Sequence, residues 1–436
     1  FIIRAMDKFG NRVQTPGDDF QVTITEVIEK IRVRAKVIDQ GDGSYEVTWC
    51  GMVRGEYDVH VYLHEEEILG SPWKVTVTTG KPSAAKCTAE GTGLGGAFAG
   101  VPASILVESN DHYGNVVTKG GANVEGQVVS VDGKFVNDCE ITDHMDGTYT
   151  LTYSAEIMGD YFLAVRVDGE HIHESPFLLF VDHTDSDPQH CVADGRHNQG
   201  DGLKACVVGT ETGFVITCAD RFNNKVSVGG DSFTAELRGA KNIPVEILDH
   251  QDGHYTCSYT AIWAGLYTLH VQLHGNDIRG SPFAVIAETA ALHPPSCYVH
   301  GSGVYSCIAG VESEFHVQAK DRYDNVRPVE DEIEVKIAGP EKVAILRRYL
   351  GDGQYDFYWT ANTAGQYEVD VLSKKQSLAT APYTVTVGPG LVYPINCVGL
   401  GQGLKEGPAG ELQVFTIQSR DKYGNNRTTG GDRFVV

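Results

Sequence analysis

Three recurring spacings in this chain bring together side chains able to do chemistry. Asp39 and Asp42, Asp143 and Asp146, and Asp249 and Asp252 each set two carboxylates three residues apart, beside a glycine. Paired carboxylates are the beginning of a calcium site, but calcium takes about six to eight oxygen ligands. The fourth example, ending in Asp352, has Tyr349 in place of the first aspartate. The expectation is therefore carboxylates that cap the backbone N–H groups of a turn, with no metal. His60 and His64, like His270 and His274, are four residues apart in stretches that alternate polar and apolar. On the outward face of one strand, at ~3.3 Å per residue, they stand about 13 Å apart. A shared metal needs ligands ~2 Å from it, so a solvated sheet face is expected.

The ten cysteines leave two readings open. Cys87, Cys191, Cys297 and Cys397 share one register, where cysteine serves as a small buried apolar residue. Cys206 and Cys307 recur at a second register, so Cys191–Cys206 and Cys297–Cys307 are candidate disulfides closing hairpin-like segments. Cys218 and Cys257 are expected on neighbouring strands. Reduced, buried thiols are favoured. Disulfides would instead imply an extracellular setting.

No catalytic constellation accompanies these groups. The chain has no Gly-x-Ser-x-Gly elbow, no phosphate loop and no His-Glu-x-x-His. No catalytic, cofactor-binding or metal-ligating residue is assigned, and an enzyme is not expected. A formal charge of −23, spread along 436 residues, repels phosphate backbones and argues against nucleic acid as a partner. No run of about 18 apolar residues is present, so no membrane span is expected. The sequence starts and stops inside apparent strands, at Phe1-Ile2-Ile3 and Phe434-Val435-Val436, as a segment of a longer protein would.

The elements that position these residues repeat. A pentapeptide occurs at 7–11, 111–115, 220–224, 321–325 and 421–425, always beginning with Asp and ending with Asn around a central aromatic. Asp-Gly-x-Tyr follows at 42–45, 146–149, 252–255 and 352–355. Gly-x-Tyr then ends at Tyr57, Tyr161, Tyr267 and Tyr367, and each complete unit closes with Ser71-Pro72-Trp73, Ser175-Pro176-Phe177, Ser281-Pro282-Phe283 or Ala381-Pro382-Tyr383. Between the signals lie period-two stretches such as Tyr57 to His64, which read as half-buried strands. Strands every 8–12 residues with Asp-Gly turns predict an all-β chain of tandem antiparallel two-sheet sandwiches. The units are placed at 1–79 (lacking its first strand), 83–182, 188–288, 294–389 and 393–436 (truncated). Short linkers containing proline favour an extended string. The four Gly-x-Tyr tyrosines are expected at equivalent inter-sheet positions.

This ordered set, with Gly-Gly-Asp-x-Phe at 229–233 and 430–434 and a Cys-x-x-x-Gly start at Cys87, Cys191 and Cys397, resembles the immunoglobulin-like filamin repeat. That resemblance implies a structural scaffold or cross-linker, cytoplasmic and cytoskeletal or ciliary. The alternative is an extracellular adhesion or surface protein built from similar repeats. It also implies that partner proteins bind as an extra strand on an exposed sheet edge, with self-association or filament assembly as a further use of such edges. The corresponding edges are 20–25, 124–130, 233–237 and 332–337, with Phe20, Val22, Val124, Gly126, Val128, Ser130, Phe233 and Ala235 as candidate contacts. The second edge is preferred because neither lysine nor proline guards it. There Val124, Gly126, Val128 and Ser130 would offer small pockets, and Val128→Pro would abolish capture without unfolding the repeat.

Overall fold

The computed structural model describes residues 1–196 and 201–436, which fall into two compact units: Phe1–Asp185 with Asp220–Val226, and Ser186–Ala219 with Ser227–Val436. The alternating patterns do become strands. Thr148–Tyr153 turns Tyr149, Leu151 and Tyr153 inward and its threonines outward, as a period of two requires.

The first unit holds two sandwiches. In the second of them one sheet runs Glu140–Asp143, Thr148–Tyr153, Ala103–Glu108, Thr88–Glu90, antiparallel throughout. The facing sheet runs Ala97–Phe98, Phe177–Asp182, Gly159–Val167, Val124–Ser130, Val136–Asp138, with only its first pair parallel. Ile105, Val107, Leu151, Leu163, Val165 and Val181 fill the space between. Fully burying side chains of this size stabilises by about 1.5–3 kcal/mol each. The first sandwich keeps the same scheme around Ile24, Tyr45, Val59 and Val61. Beside its Trp73–Val77 strand, where the second sandwich pairs Ala97–Phe98, lies a cavity of about 590 Å³ lined by Phe1, Trp49, Ile68, Trp73 and Val75.

In the second unit the third repeat orders Val192–Asp194, Thr212–Thr217, His254–Tyr259, Glu246–Asp249 against Ala205–Val207, Phe283–Glu288, Gly265–Leu273, Phe233–Arg238, Ile243–Pro244. The fourth orders Tyr298–His300, Ser313–Gln318, Gln354–Trp359, Ile345–Gly351 against Ser306–Ile308, Tyr383–Gly388, Gly365–Ser373, Glu334–Ala338. Beyond it Val398–Leu400 pairs with Thr416–Gln418.

The recurring motifs explain why the repeats fold alike. Gly147 of the Asp-Gly turn has φ +91°, and a Cβ there would sit 1.9 Å from the Val117 carbonyl oxygen, so both conformation and space demand glycine. Tyr57, Tyr161, Tyr267 and Tyr367 are each at most 1% exposed. Each donates its hydroxyl to the carbonyl four residues earlier, on Val53, Ile157, Trp263 and Thr363, at 2.6–3.0 Å. The expected equivalence of these tyrosines holds.

The hairpin-like segments expected between the candidate disulfide cysteines need correction. All ten cysteines are free thiols. Cys191 leads into Val192–Asp194 while Cys206 lies in Ala205–Val207 of the opposite sheet. Cys297 and Cys307 are divided in the same way. What looked like a hairpin in sequence is, in each repeat, two short strands in opposite sheets. Cys218 lies beside Cys191, and Cys257 pairs with Phe214, four positions from Cys218.

Candidate interaction edges

The paired aspartates are held by backbone. Asp143 accepts N–H groups from Gly121 at 2.8 Å and Met145 at 2.7 Å. Asp249 does the same with Gly230 and Gln251, and Asp39 with Gly17 and Gly41. The second aspartates, Asp42, Asp146 and Asp252, cap the N–H two residues on at 2.9–3.0 Å. Hydrogen bonds from Ser44 hold the Asp42 carboxyl below the usual carboxylate range. The geometry is that of Asx turns; the first aspartate of each pair also ties down Gly17, Gly121 or Gly230, whose following N–H is taken by the hydroxyl of Tyr45, Tyr149 or Tyr255. Tyr349 takes over in the fourth repeat, its hydroxyl donating to the Pro328 carbonyl at 3.2 Å.

The histidine pairs do not share a strand face. The strands end at Leu63 and Leu273, and His64 and His274 lie in the following turns with φ +50°. His60 and His270 remain on the outer face, beside Glu67 and Asp277.

The four proposed edges occupy one register. Phe20, Val124 and Phe233 share one position, and Val22, Gly126 and Ala235 the next, each facing its long central strand. They differ on their other side. Val136–Asp138 covers Gln127 to Val129, Arg32–Val33 covers Ile24 and Thr25, and Ile243–Pro244 covers Glu236 and Leu237. Among the described residues no strand pairs the free side of Glu334–Ala338.

The preference for the second repeat is therefore corrected. Val124, Gly126 and Val128 point into the core, with Val128 fully buried. A Cβ on Gly126 would meet Leu151 at 2.6 Å. That glycine makes room for the repeat's own core, not for an incoming backbone. Ser130 is engaged by its own turn, bonding Asp132 and Phe135.

The Glu334–Ala338 edge is framed differently. Val335 and Ile337 are only partly buried and pack against the core together with Ile345 and Tyr349 of the neighbouring edge strand. They are the register equivalents of Gly126 and Val128. The Gly126 carbonyl is turned away from the central strand, accepting Cys139 N–H, so Val335 and Ile337 turn their backbone groups to the open side. Lys336 lies opposite Asp370. Arg347, at the place of Ile141, stacks over Tyr355 at 5.0 Å and pairs with Glu330 at 2.8 Å. Sequence reasoning preferred the second edge to this one because it judged guards by residue type. The covering strands are set by the 131–139 type of connection, which has no short sequence signature.

A model of the filamin/ABP280 repeat matches residues 1–74, 81–178, 185–284 and 291–384. Filamin-C of Mus musculus is 30% identical over 95% of this chain and 16% of its own length. Protein GAMETE EXPRESSED 2 of Arabidopsis thaliana is 26% identical over 56% of this chain and 28% of its own. This chain thus spans about a sixth of the filamin-C length. Among solved structures, the Escherichia coli adhesin FdeC covers 72% of this chain and 100% of its own, with a TM-score of 0.46 and 16% identity. With tandem matches across most of its length, the chain belongs to the filamin repeat family.

Proposed function

We propose that this chain is a non-enzymatic structural segment that captures extended segments of partner proteins by strand addition and transmits load between them. The unpaired edge Glu334–Ala338 carries this reading. Its outward-facing backbone donors and acceptors supply affinity, and the half-open row Val335, Ile337, Ile345 and Tyr349 supplies apolar contacts at two-residue spacing. Lys336 and Arg347 at the same opening favour a segment that alternates apolar with acidic residues. A cytoplasmic, cytoskeletal or ciliary scaffold is the setting that agrees with filamin relatives and with ten free thiols.

The test is binding of a fluorescent nonapeptide of alternating valine and glutamate to the full chain. Val335→Pro removes an outward donor on the open edge. It should abolish binding while leaving the circular dichroism spectrum in place. Val22→Pro, on the edge of the first repeat, should leave binding intact. Undiminished binding by Val335→Pro would refute capture at this edge.

A further inference from the structure

The pentapeptide looks in sequence like a turn internal to each repeat, and part of it is. Asp111 Oδ1 accepts the N–H groups of Tyr113 and Asn115 at 2.9 and 3.0 Å. The asparagine side chain, however, faces the repeat before. In the first unit Asn115 Nδ2 donates to the Met52 carbonyl at 2.9 Å, and its Oδ1 accepts Arg54 N–H at 2.8 Å. Asn224, whose loop belongs to that same unit, bonds the Glu156 carbonyl and Met158 N–H in the same way. In the second unit Asn325 takes the Ile262 carbonyl at 3.1 Å and Ala264 N–H at 2.9 Å. Asn425 takes the Asn362 carbonyl at 2.7 Å and Ala364 N–H at 2.8 Å. Each amide thus imitates one rung of a β-ladder, donating to one backbone group and accepting from another two residues on.

We infer that the pentapeptide is an inter-repeat clasp whose partner is the loop before the Gly-x-Tyr strand of the preceding repeat. Two further features belong to it. The aspartate keeps the asparagine in place and ties down the linker. Asp321 Oδ2 accepts Asn325 Nδ2 at 3.0 Å and Ala290 N–H at 3.1 Å, and Asp421 Oδ2 accepts Asn425 Nδ2 and Gly390 N–H, both at 2.8 Å. The central aromatic rests on a glycine seat. A Cβ on Gly209 would lie 1.9 Å from the Tyr323 hydroxyl oxygen, and one on Gly310 would lie 2.2 Å from the Tyr423 ring. Gly209 has φ +75° and donates to the Ala261 carbonyl at 2.7 Å, so the seat is braced against the loop that the asparagine holds. In the later junctions Arg327 and Arg427 add a bond to the linker carbonyls of Ala290 and Gly390 while pairing with Asp331 and Asp432. The other repeats have Val13, Val117 and Val226 there.

The clasp couples neighbouring repeats through directional hydrogen bonds together with the contact of the central aromatic on its glycine seat. This conclusion is independent of strand addition.

The first repeat supplies the control. Asn11 Nδ2 bonds Asp7 at 2.9 Å, and no bond to another repeat is made by it among the described residues. Asn11→Ala therefore reports the cost of loosening the turn alone. In the full chain, hydrogen exchange of the Ala264 amide should accelerate at least tenfold in Asn325→Ala. The amides of Gln354–Trp359 should stay protected, and Asn11→Ala should leave Ala264 unchanged. Unchanged Ala264 exchange in folded Asn325→Ala would overturn the clasp. If Asn325→Ala unfolds the fourth repeat, Tyr323→Ala decides in its place. Faster exchange at Gly209 and Ala264 supports the clasp, and unchanged exchange there overturns it.

Discussion

Ser175 Oγ accepts the N–H of Val165 at 2.8 Å, joining the turn before the last strand to the middle of the central strand. Ser71 and Ser281 do the same for Val61 and Val271, both at 3.0 Å. The fourth repeat has Ala381 at this place, opposite the equivalent Val371, which is fully buried. A buried N–H without its usual acceptor is a defect that one hydroxyl can repair. Ala381→Ser is expected to stabilise the fourth repeat by about 0.5–1.5 kcal/mol, the net worth of one such bond. The measurement is the shift of that repeat's own transition, followed by hydrogen exchange of Gly365–Ser373 in denaturant. No shift would mean that Val371 N–H already has a partner of equal quality.

Val128 sits between Leu163 on one side and Asn137 on the other, with no exposed surface. Proline there deletes the donor toward Val136–Asp138 and strains a filled core. Val128→Pro should unfold the second repeat, with loss of near-ultraviolet dichroism from Tyr149 and Tyr161. This is the opposite of what an open edge would give. A folded variant would show that Val136–Asp138 detaches readily and that the edge beneath it is available.

How much of this was legible in sequence depends on the range of the interaction. The Asp-Gly turns, the buried tyrosines and the alternating strands are local events governed by φ preference and a period of two, and the sequence declares them. Asp143 could be recognised as a turn carboxylate because its donors lie at Met145 and, through the repeat pattern, near Gly121. The second role of Asn115 could not, because its partners Met52 and Arg54 are some sixty residues away and share no motif with it. The hairpin reading of the cysteine pairs failed on topology. Cys191 and Cys206 are near in sequence, but the chain changes sheets between them.

The thiols give a chemical test of the fold. Burial pushes Cys257 up to about 12, and Cys139 and Cys206 up to about 11. The reactive thiolate of these residues is therefore scarce at neutral pH. Cys50 is exposed. Native labelling with an aromatic disulfide reagent should modify Cys50 rapidly and the seven buried cysteines only on unfolding. Under denaturing, non-reducing conditions all ten should titrate. A count of eight or fewer would indicate a disulfide and move the chain toward an extracellular setting.

Acid should open the clasp before it unfolds the repeats. Burial by itself raises the pKa of Asp111 and Asp421. The hydrogen bonds from the Asn115 and Asn425 side chains and from the Gly80 and Gly390 N–H groups outweigh it, so both carboxyls end below their ordinary value of 3.8. A carboxylate with a lower pKa in the folded state stabilises that state above its unfolded value and loses the contribution as pH falls through the folded one. Each protonation also removes the charge from the acceptor that holds the asparagine amide in place, and so weakens that bond. Protection of the Arg54 and Ala364 amides, corrected for the intrinsic pH dependence of exchange, should stay constant from pH 7 to about 5 and decline below about 4. The amides of residues 149–153 should remain protected over the same interval, since they lie in the strand ladder and not on the Asp146 carboxylate that caps Thr148. Loss of Arg54 protection already near pH 6 would assign the junction to a group that titrates close to neutrality and would remove Asp111 from the clasp.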